Sequence, residues 1–158
     1  MATAGDVLRS IEEQVRAMRR RWRQFDLADR TPDSAVWFGS LVGIERPYRV
    51  ALEYGLPCVG RERWRMFPLV RVLSPRLEPR FDAVEEAPLP HVYFDDKDIT
   101  LSPLCLFDPD ANEWSHDDLI AETTVPWAAD WLTCYEGWLA SGRWHGGGRH
   151  GRPQHPTP

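Results

Sequence analysis

Lysine is almost missing from this chain: of its 19 basic residues 18 are arginine, and Lys97 stands alone. Almost no amine is therefore available for self-acylation. Cysteine is scarce as well. Cys58, Cys105 and Cys134 are an odd number with no close pair, which argues against a disulfide framework and for reduced thiols. Long apolar runs are also lacking. The longest stretch without a charge, Ser34 to Ile44, has eleven residues, against the roughly 18 or more that a membrane span needs. The N-terminus does not show the basic, apolar and small-residue succession of a secretory signal, since Asp6, Glu12 and Glu13 fall inside an amphipathic pattern. These absences predict a cytoplasmic protein with no membrane association. A net charge of −5, from 24 acidic and 19 basic groups, disfavours nucleic acid as a partner.

Several site motifs fail on their own geometry. Asp108, Asp110 and Asn112 begin like a calcium loop, but Glu113 stands where the turn needs glycine and Leu119 where a bidentate Glu is required. There is no Gly-x-x-x-x-Gly-Lys loop, and the glycines at 146 to 148 follow a helical pattern where a dinucleotide site needs them to precede one. No Gly-x-Ser-x-Gly elbow and no Cys-x-x-Cys or His-x-x-x-His pair occurs. His145, His150 and His155 offer imidazoles to a metal, but a spacing of five in a Gly/Pro-rich tail fixes no coordination geometry. The reading assigns neither a cofactor nor a metal.

What remains is ordinary globular composition, 42% hydrophobic and 27% charged over 158 residues, which predicts one domain over 1–144 and a mobile tail over 145–158. Val7, Leu8, Ile11, Val15, Met18, Trp22 and Phe25 recur at steps of three and four, as one face of a long helix does. The opposite face is acidic at its start and basic at Arg19, Arg20 and Arg23, in the sense the helix dipole favours. After the turn signal Thr31-Pro32-Asp33, Val36 to Val42 reads as a strand. The alternation Tyr48, Val50, Leu52, Tyr54 reads as a second, and Met66 to Leu73 as a third that Pro68 pushes to an edge. Four prolines between Ser74 and Pro90 predict an irregular crossing. Ile99 to Phe107 reads as a buried strand or a packed extended loop. Ser115 and Asp118 predict a capping box that opens a short helix through Glu122. A last helix has Pro126 in its first turn, Trp127, Trp131, Cys134 and Trp138 on one face, and Gly142 as its stop.

Of the three thiols, Cys105 has the setting that acyl transfer through sulfur requires, an apolar bed of Pro103-Leu104 and Leu106-Phe107 that turns abruptly polar at Asp108. The competing reading is a small core hydrophobe. Cys134 on the tryptophan face reads as buried, and Cys58 follows Pro57 in a loop where nothing activates it.

Pro90-His91-Val92-Tyr93, Leu104-Cys105-Leu106-Phe107, Trp114, Val125-Pro126-Trp127, Trp131-Leu132, Tyr135-Glu136-x-Trp138-Leu139 and Gly142-x-Trp144-x-Gly146-Gly147-Gly148-x-His150 resemble bacterial relatives of ubiquitin-conjugating enzymes. The likeness is to those encoded with cGAS-like nucleotidyltransferases in cyclic-oligonucleotide-based anti-phage signalling. The resemblance implies an α+β fold of that type: an N-terminal helix, an antiparallel β-meander, an extended active-site segment and C-terminal helices. It also implies that Cys105 carries an acyl group as a thioester. That group would come from the C-terminal carboxylate of a partner, expected to be the nucleotidyltransferase, with or without a separate activating enzyme. The eukaryotic His-Pro-Asn is absent, because Val92 and Tyr93 follow His91. His91, fourteen positions before Cys105, is left either to supply an oxyanion donor or to order the loop. Trp114 is expected beneath the active-site segment. Asp108 and His116 are candidate bases for the incoming amine, or simply turn residues. The alternative from another class is a non-catalytic scaffold of the same fold that binds the nucleotidyltransferase.

Overall fold

The computed structural model describes residues 8–82, 84 and 86–146. The element order is α1 (Ile11–Arg21), β1 (Asp26–Thr31), β2 (Ser34–Val42), β3 (Pro47–Gly55), β4 (Leu69–Ser74) and α2 (Thr124–Ser141), with three short 3-10 turns in the connections. The four strands form one antiparallel sheet in the order β1-β2-β3-β4, so the chain is α+β with a meander followed by an irregular segment and a long helix. Among the described residues no helix is long and apolar enough to cross a membrane.

Register explains why one face of the sheet is core. Ala35, Trp37 and Leu41 of β2 lie opposite Tyr54, Leu52 and Tyr48 of β3, and Val50 and Leu52 lie opposite Val72 and Val70 of β4. All of these are buried, as a period of two requires of residues that share one face. Ile11, Val15 and Met18 of α1 and Val125, Ala128, Trp131, Leu132, Tyr135 and Trp138 of α2 join the same cluster. The helix ends follow from local chemistry. Ser10 accepts from the Glu13 N–H while the Glu13 carboxylate accepts from the Ser10 N–H, a complete capping box. Gly142, at φ +74°, closes α2 with its N–H on the Trp138 carbonyl, as expected of the stop signal.

Two expectations are corrected and one strand is added. First, α1 starts at Ile11 and stops at Arg21. Leu8 lies before it and is half exposed, and Val7 is outside the described residues. Trp22 caps the helix and sends its indole N–H to the Ala121 carbonyl at 2.7 Å. Phe25 then leaves the helical stripe to lie over Gly39, where an added Cβ would overlap its ring. Second, Asp26–Thr31 is the edge strand β1, mostly exposed. It carries no apolar alternation because neither face of it is fully buried.

Third, the segment after Ser115 forms successive turns and no helix. The Asp118 carboxylate does take the Ser115 N–H at 2.8 Å, but the groups a helix would use next are claimed by the region around α1. The His116 carbonyl accepts from the Arg9 N–H. Gln14, fully buried, gives its amide N–H to the Asp118 carbonyl and accepts the Ile120 N–H, each at 2.9 Å.

The described residues between 75 and 98 form no helix or strand beyond a single bridge at Val92, as the prolines predict, with cis peptide bonds at Ser74-Pro75 and Ala87-Pro88. The tail, apart from His145 and Gly146, lies outside the described residues, and so do His150 and His155.

Removing the Gln14 amide leaves a buried donor and a buried acceptor unpaired, each costing about 1–3 kcal/mol. Gln14→Ala is therefore expected to lower the unfolding free energy by about 2–4 kcal/mol in urea titration with an unchanged slope. A loss below about 0.5 kcal/mol would show that the α1 tie is not a structural joint.

Candidate active site

The cysteine segment is an extension of the sheet beyond β4. The Leu104 N–H donates to the Val70 carbonyl at 2.9 Å, and Pro103 forms a bridge with Arg71. On its other side the segment pairs with residues 91–93: Tyr93 N–H to Pro103 carbonyl at 2.9 Å, a bridge between Val92 and Leu104, and Cys105 N–H to His91 carbonyl at 2.8 Å. The alternation of extended backbone turns Leu104 into the core, with 4% exposed, and leaves Cys105 half-buried at a cleft. Neither reading of Ile99 to Phe107 holds over its whole length: Ile99–Leu101 is a 3-10 turn, and Pro103 and Leu104 each make a single β-bridge.

His91 has φ +50°, a left-handed conformation that His adopts more readily than most side chains. Its carbonyl accepts a second hydrogen bond, from the Trp131 indole N–H at 2.9 Å. One oxygen thus ties the cysteine backbone to α2. The His91 ring is itself nearly buried, with 6% of the side chain exposed. It lies 3.1 Å from the Glu86 carboxylate through Nε2 and 4.8 Å from the Trp144 ring, which in turn is 5.5 Å from Trp131.

The cleft in front of Cys105 encloses about 580 Å³. Three tryptophans, Trp127, Trp131 and Trp144, line it together with Phe107, and its charged lining residues are Glu113 and Asp130. Cys134 lines it too and is half-buried, which modifies the expectation that it is a core residue. Along the tryptophan stripe of α2, Trp138 belongs to the core, Trp131 is buried and also lines the cleft, and Trp127 and Cys134 lie at the cleft. Burial, followed by the negative charge of Asp130, holds the Cys134 thiol above its ordinary pKa. Cys58 is exposed and lies outside the cleft.

Tyr93 is the residue the sequence reading did not single out. The Cys105 thiol donates to its hydroxyl over a long 3.8 Å. Burial, and after it the charge of the neighbouring Cys105, pushes the phenol well above its ordinary pKa. The hydroxyl therefore keeps its proton, and once the thiol ionises the phenol becomes the donor. Its place at the second position after His91 was visible in the motif, but the contact depends on the pairing of 91–93 with 103–105. Glu86 left no signal at all.

Trp114 lies where expected, under the active-site segment. It is 2% exposed, stacked on Phe107 at 6.1 Å, with its indole N–H on the Thr123 hydroxyl. Each of the two candidate bases has a structural contact. Asp108 caps the turn Pro109–Ala111 by accepting the Asp110 N–H at 2.9 Å. His116 shares a 2.8 Å hydrogen bond with the Tyr54 hydroxyl, packs against Trp114 and Phe67, and does not line the cleft.

A hydrogen bond to a charged partner contributes about 1.5–3 kcal/mol at normal length, and about 1 kcal/mol is a fair share for this long contact. Tyr93→Phe is expected to slow iodoacetamide alkylation of Cys105 at neutral pH by about fivefold, read by peptide mass spectrometry. An unchanged rate would show that the hydroxyl does not support the thiolate.

A model of the E2-CBASS family, described as type II CBASS E2 protein, matches residues 14–151. No curated protein matches the chain.

Proposed function

The chain belongs to the type II CBASS E2 protein family, and so to CBASS anti-phage defence, and from that premise we propose that it is a ubiquitin-conjugating-like thioester acyltransferase with Cys105 as nucleophile. The observation that carries the reading is the placement of the Cys105 sulfur. It stands at the mouth of an aromatic cleft, on a backbone pinned from both sides, with a protonated phenol as its neighbour.

In the first step the Cys105 thiolate attacks the activated C-terminal carbonyl of a partner protein, with the cGAS-like nucleotidyltransferase as the expected partner. The carbon–sulfur bond forms, the carbonyl oxygen becomes an oxyanion, and the activating group departs with its electron pair. In the second step an amine attacks the thioester carbonyl, the carbon–sulfur bond breaks, an amide forms, and the amine proton leaves through solvent. Sulfur serves because a thioester keeps the carbonyl reactive and returns a good leaving group.

The Tyr93 hydroxyl takes the oxyanion-stabilising part that the missing asparagine plays in eukaryotic enzymes. His91 acts as a positioning residue. Its Nε2 is engaged with Glu86 and its carbonyl holds Cys105, so its contribution is the fixed backbone of the nucleophile. Glu113 and Asp130 make the cleft attractive to a cationic amine.

Incubation with a nucleotidyltransferase partner, an activating enzyme and ATP is expected to give a mass adduct under non-reducing conditions that thiol reductant removes. Cys105→Ala is expected to abolish it, and Cys105→Ser to replace it with a reductant-stable ester. Co-purification of the two proteins with no adduct under any of these conditions would instead favour the scaffold.

A further inference from the structure

The sequence offers a single lysine side chain as an internal amine, and the fold brings it close to the reacting segment. A second cavity, of about 470 Å³, adjoins the tryptophan cleft. Leu106 and Phe107 line both, and Tyr93, whose hydroxyl lies 3.8 Å from the Cys105 sulfur, lines the second. Lys97 is exposed and lines that second cavity as well.

The loop that carries Lys97 is fixed to the cysteine segment. Beyond the hydrogen bond from Tyr93 to Pro103, the Asp95 N–H donates at 2.9 Å to the hydroxyl of Ser102, a fully buried residue. The Asp95 carboxylate in turn accepts the Lys97 N–H at 2.9 Å and the Asp98 N–H at 3.0 Å, which makes an Asx turn. The turn holds Lys97 nearer to Tyr93 than the about 13 Å that four extended residues would span. The ammonium group itself makes no ion pair and no hydrogen bond among the described residues. Three carboxylates that share the cavity are engaged elsewhere, Asp95 in the turn, Asp108 on the Asp110 N–H and Asp110 on Arg63. They attract a cation to the cavity without pinning this one, and the four-carbon stem leaves it free to swing.

We infer that Lys97 is a modification site, an intramolecular acceptor that takes the acyl group from Cys105. The neutral amine attacks the thioester carbonyl and a carbon–nitrogen bond forms. The carbon–sulfur bond breaks, its electron pair leaves with the thiolate, and the proton lost by nitrogen passes to solvent. The amide that results resists thiol reductant, and Cys105 is free to load again. A tethered amine needs no second encounter, which raises its effective concentration above that of a free amine. The eighteen arginines do not compete, because a guanidinium keeps its proton and offers no nucleophilic lone pair. Self-acylation on side-chain nitrogen is thereby confined to one position, and the conjugate formed there ties a donor protein to its own carrier. The inference rests on Cys105 being the acyl carrier.

The test charges the full chain with the mercaptoethanesulfonate thioester of a short peptide ending in glycine, and peptide mass spectrometry then locates the reductant-stable acyl groups over time. The acyl group is expected on Cys105 first and on Lys97 afterwards, about tenfold or more faster than the direct acylation of Lys97 in Cys105→Ala. The first-order rate constant of transfer is expected to stay the same when the chain is diluted. Lys97→Arg is expected to keep the thioester on Cys105 with no stable side-chain adduct. The double variant Lys97→Arg with Gln24→Lys, whose new amine is exposed but lines neither cavity, is expected to behave in the same way. Acylation of Lys97 no faster than in Cys105→Ala, transfer that slows in proportion to dilution, or equal transfer to position 24 would each overturn the inference. Loading of Cys105 without transfer overturns the inference alone, whereas failure of Cys105 to load overturns the acyl-carrier reading and the inference with it.

Discussion

The carbonyl oxygen of His91 is the point on which the site depends. It accepts the Cys105 N–H at 2.8 Å and the Trp131 indole N–H at 2.9 Å, and so joins the strand-like cysteine segment to the last helix. Both lone pairs of a carbonyl are then used. The joint is reinforced around it. The left-handed backbone at His91 sets the direction of the carbonyl, and Glu86 and Trp144 hold the ring on either side. A reactive sulfur needs this more than a passive one, since a displacement of about 1 Å can cost two orders of magnitude in rate.

The sheet supplies the other half of the constraint. β4 is an edge strand, and an unpaired edge invites pairing with foreign strands. Here the Val70 carbonyl and Arg71 are occupied by Leu104 and Pro103, so the same contacts that protect the edge deliver Cys105 to the surface. On the far side, the Gln14 amide anchors α1 to residues 118–120, just ahead of α2. The two helices of the one core cluster are thereby linked through the segment that precedes α2, and Trp127 and Cys134 of α2 line the cleft.

The parts of this arrangement that repeat along the chain could be read directly. β2, β3, α2 and the Gly142 stop follow from periodicities of two and of three to four and from one glycine. The thiol worth watching could be chosen from its apolar flanks and from the resemblance. The parts that were hidden depend on contacts distant in sequence. β1 has only Leu27 as an inward signal. The turns after Ser115 exist because Arg9 and Gln14, about a hundred residues earlier, take the helix's hydrogen bonds. Tyr93 reaches Cys105 only through the backbone pairing of two segments, and the ring of His91 finds Glu86 across a proline-rich irregular stretch that has no period to read.

The most direct measurement of the central claim is the rate at which an acetyl thioester loads Cys105 in Trp131→Phe, set beside the urea unfolding of the same variant. The substitution keeps an aromatic ring in the core and removes the indole N–H from the His91 carbonyl. Loading is expected to fall by about tenfold or more while stability falls by only about 1–2 kcal/mol, the scale of one hydrogen bond and a modest packing change. A loading rate equal to that of the native chain would contradict the claim that the shared carbonyl holds the nucleophile in place.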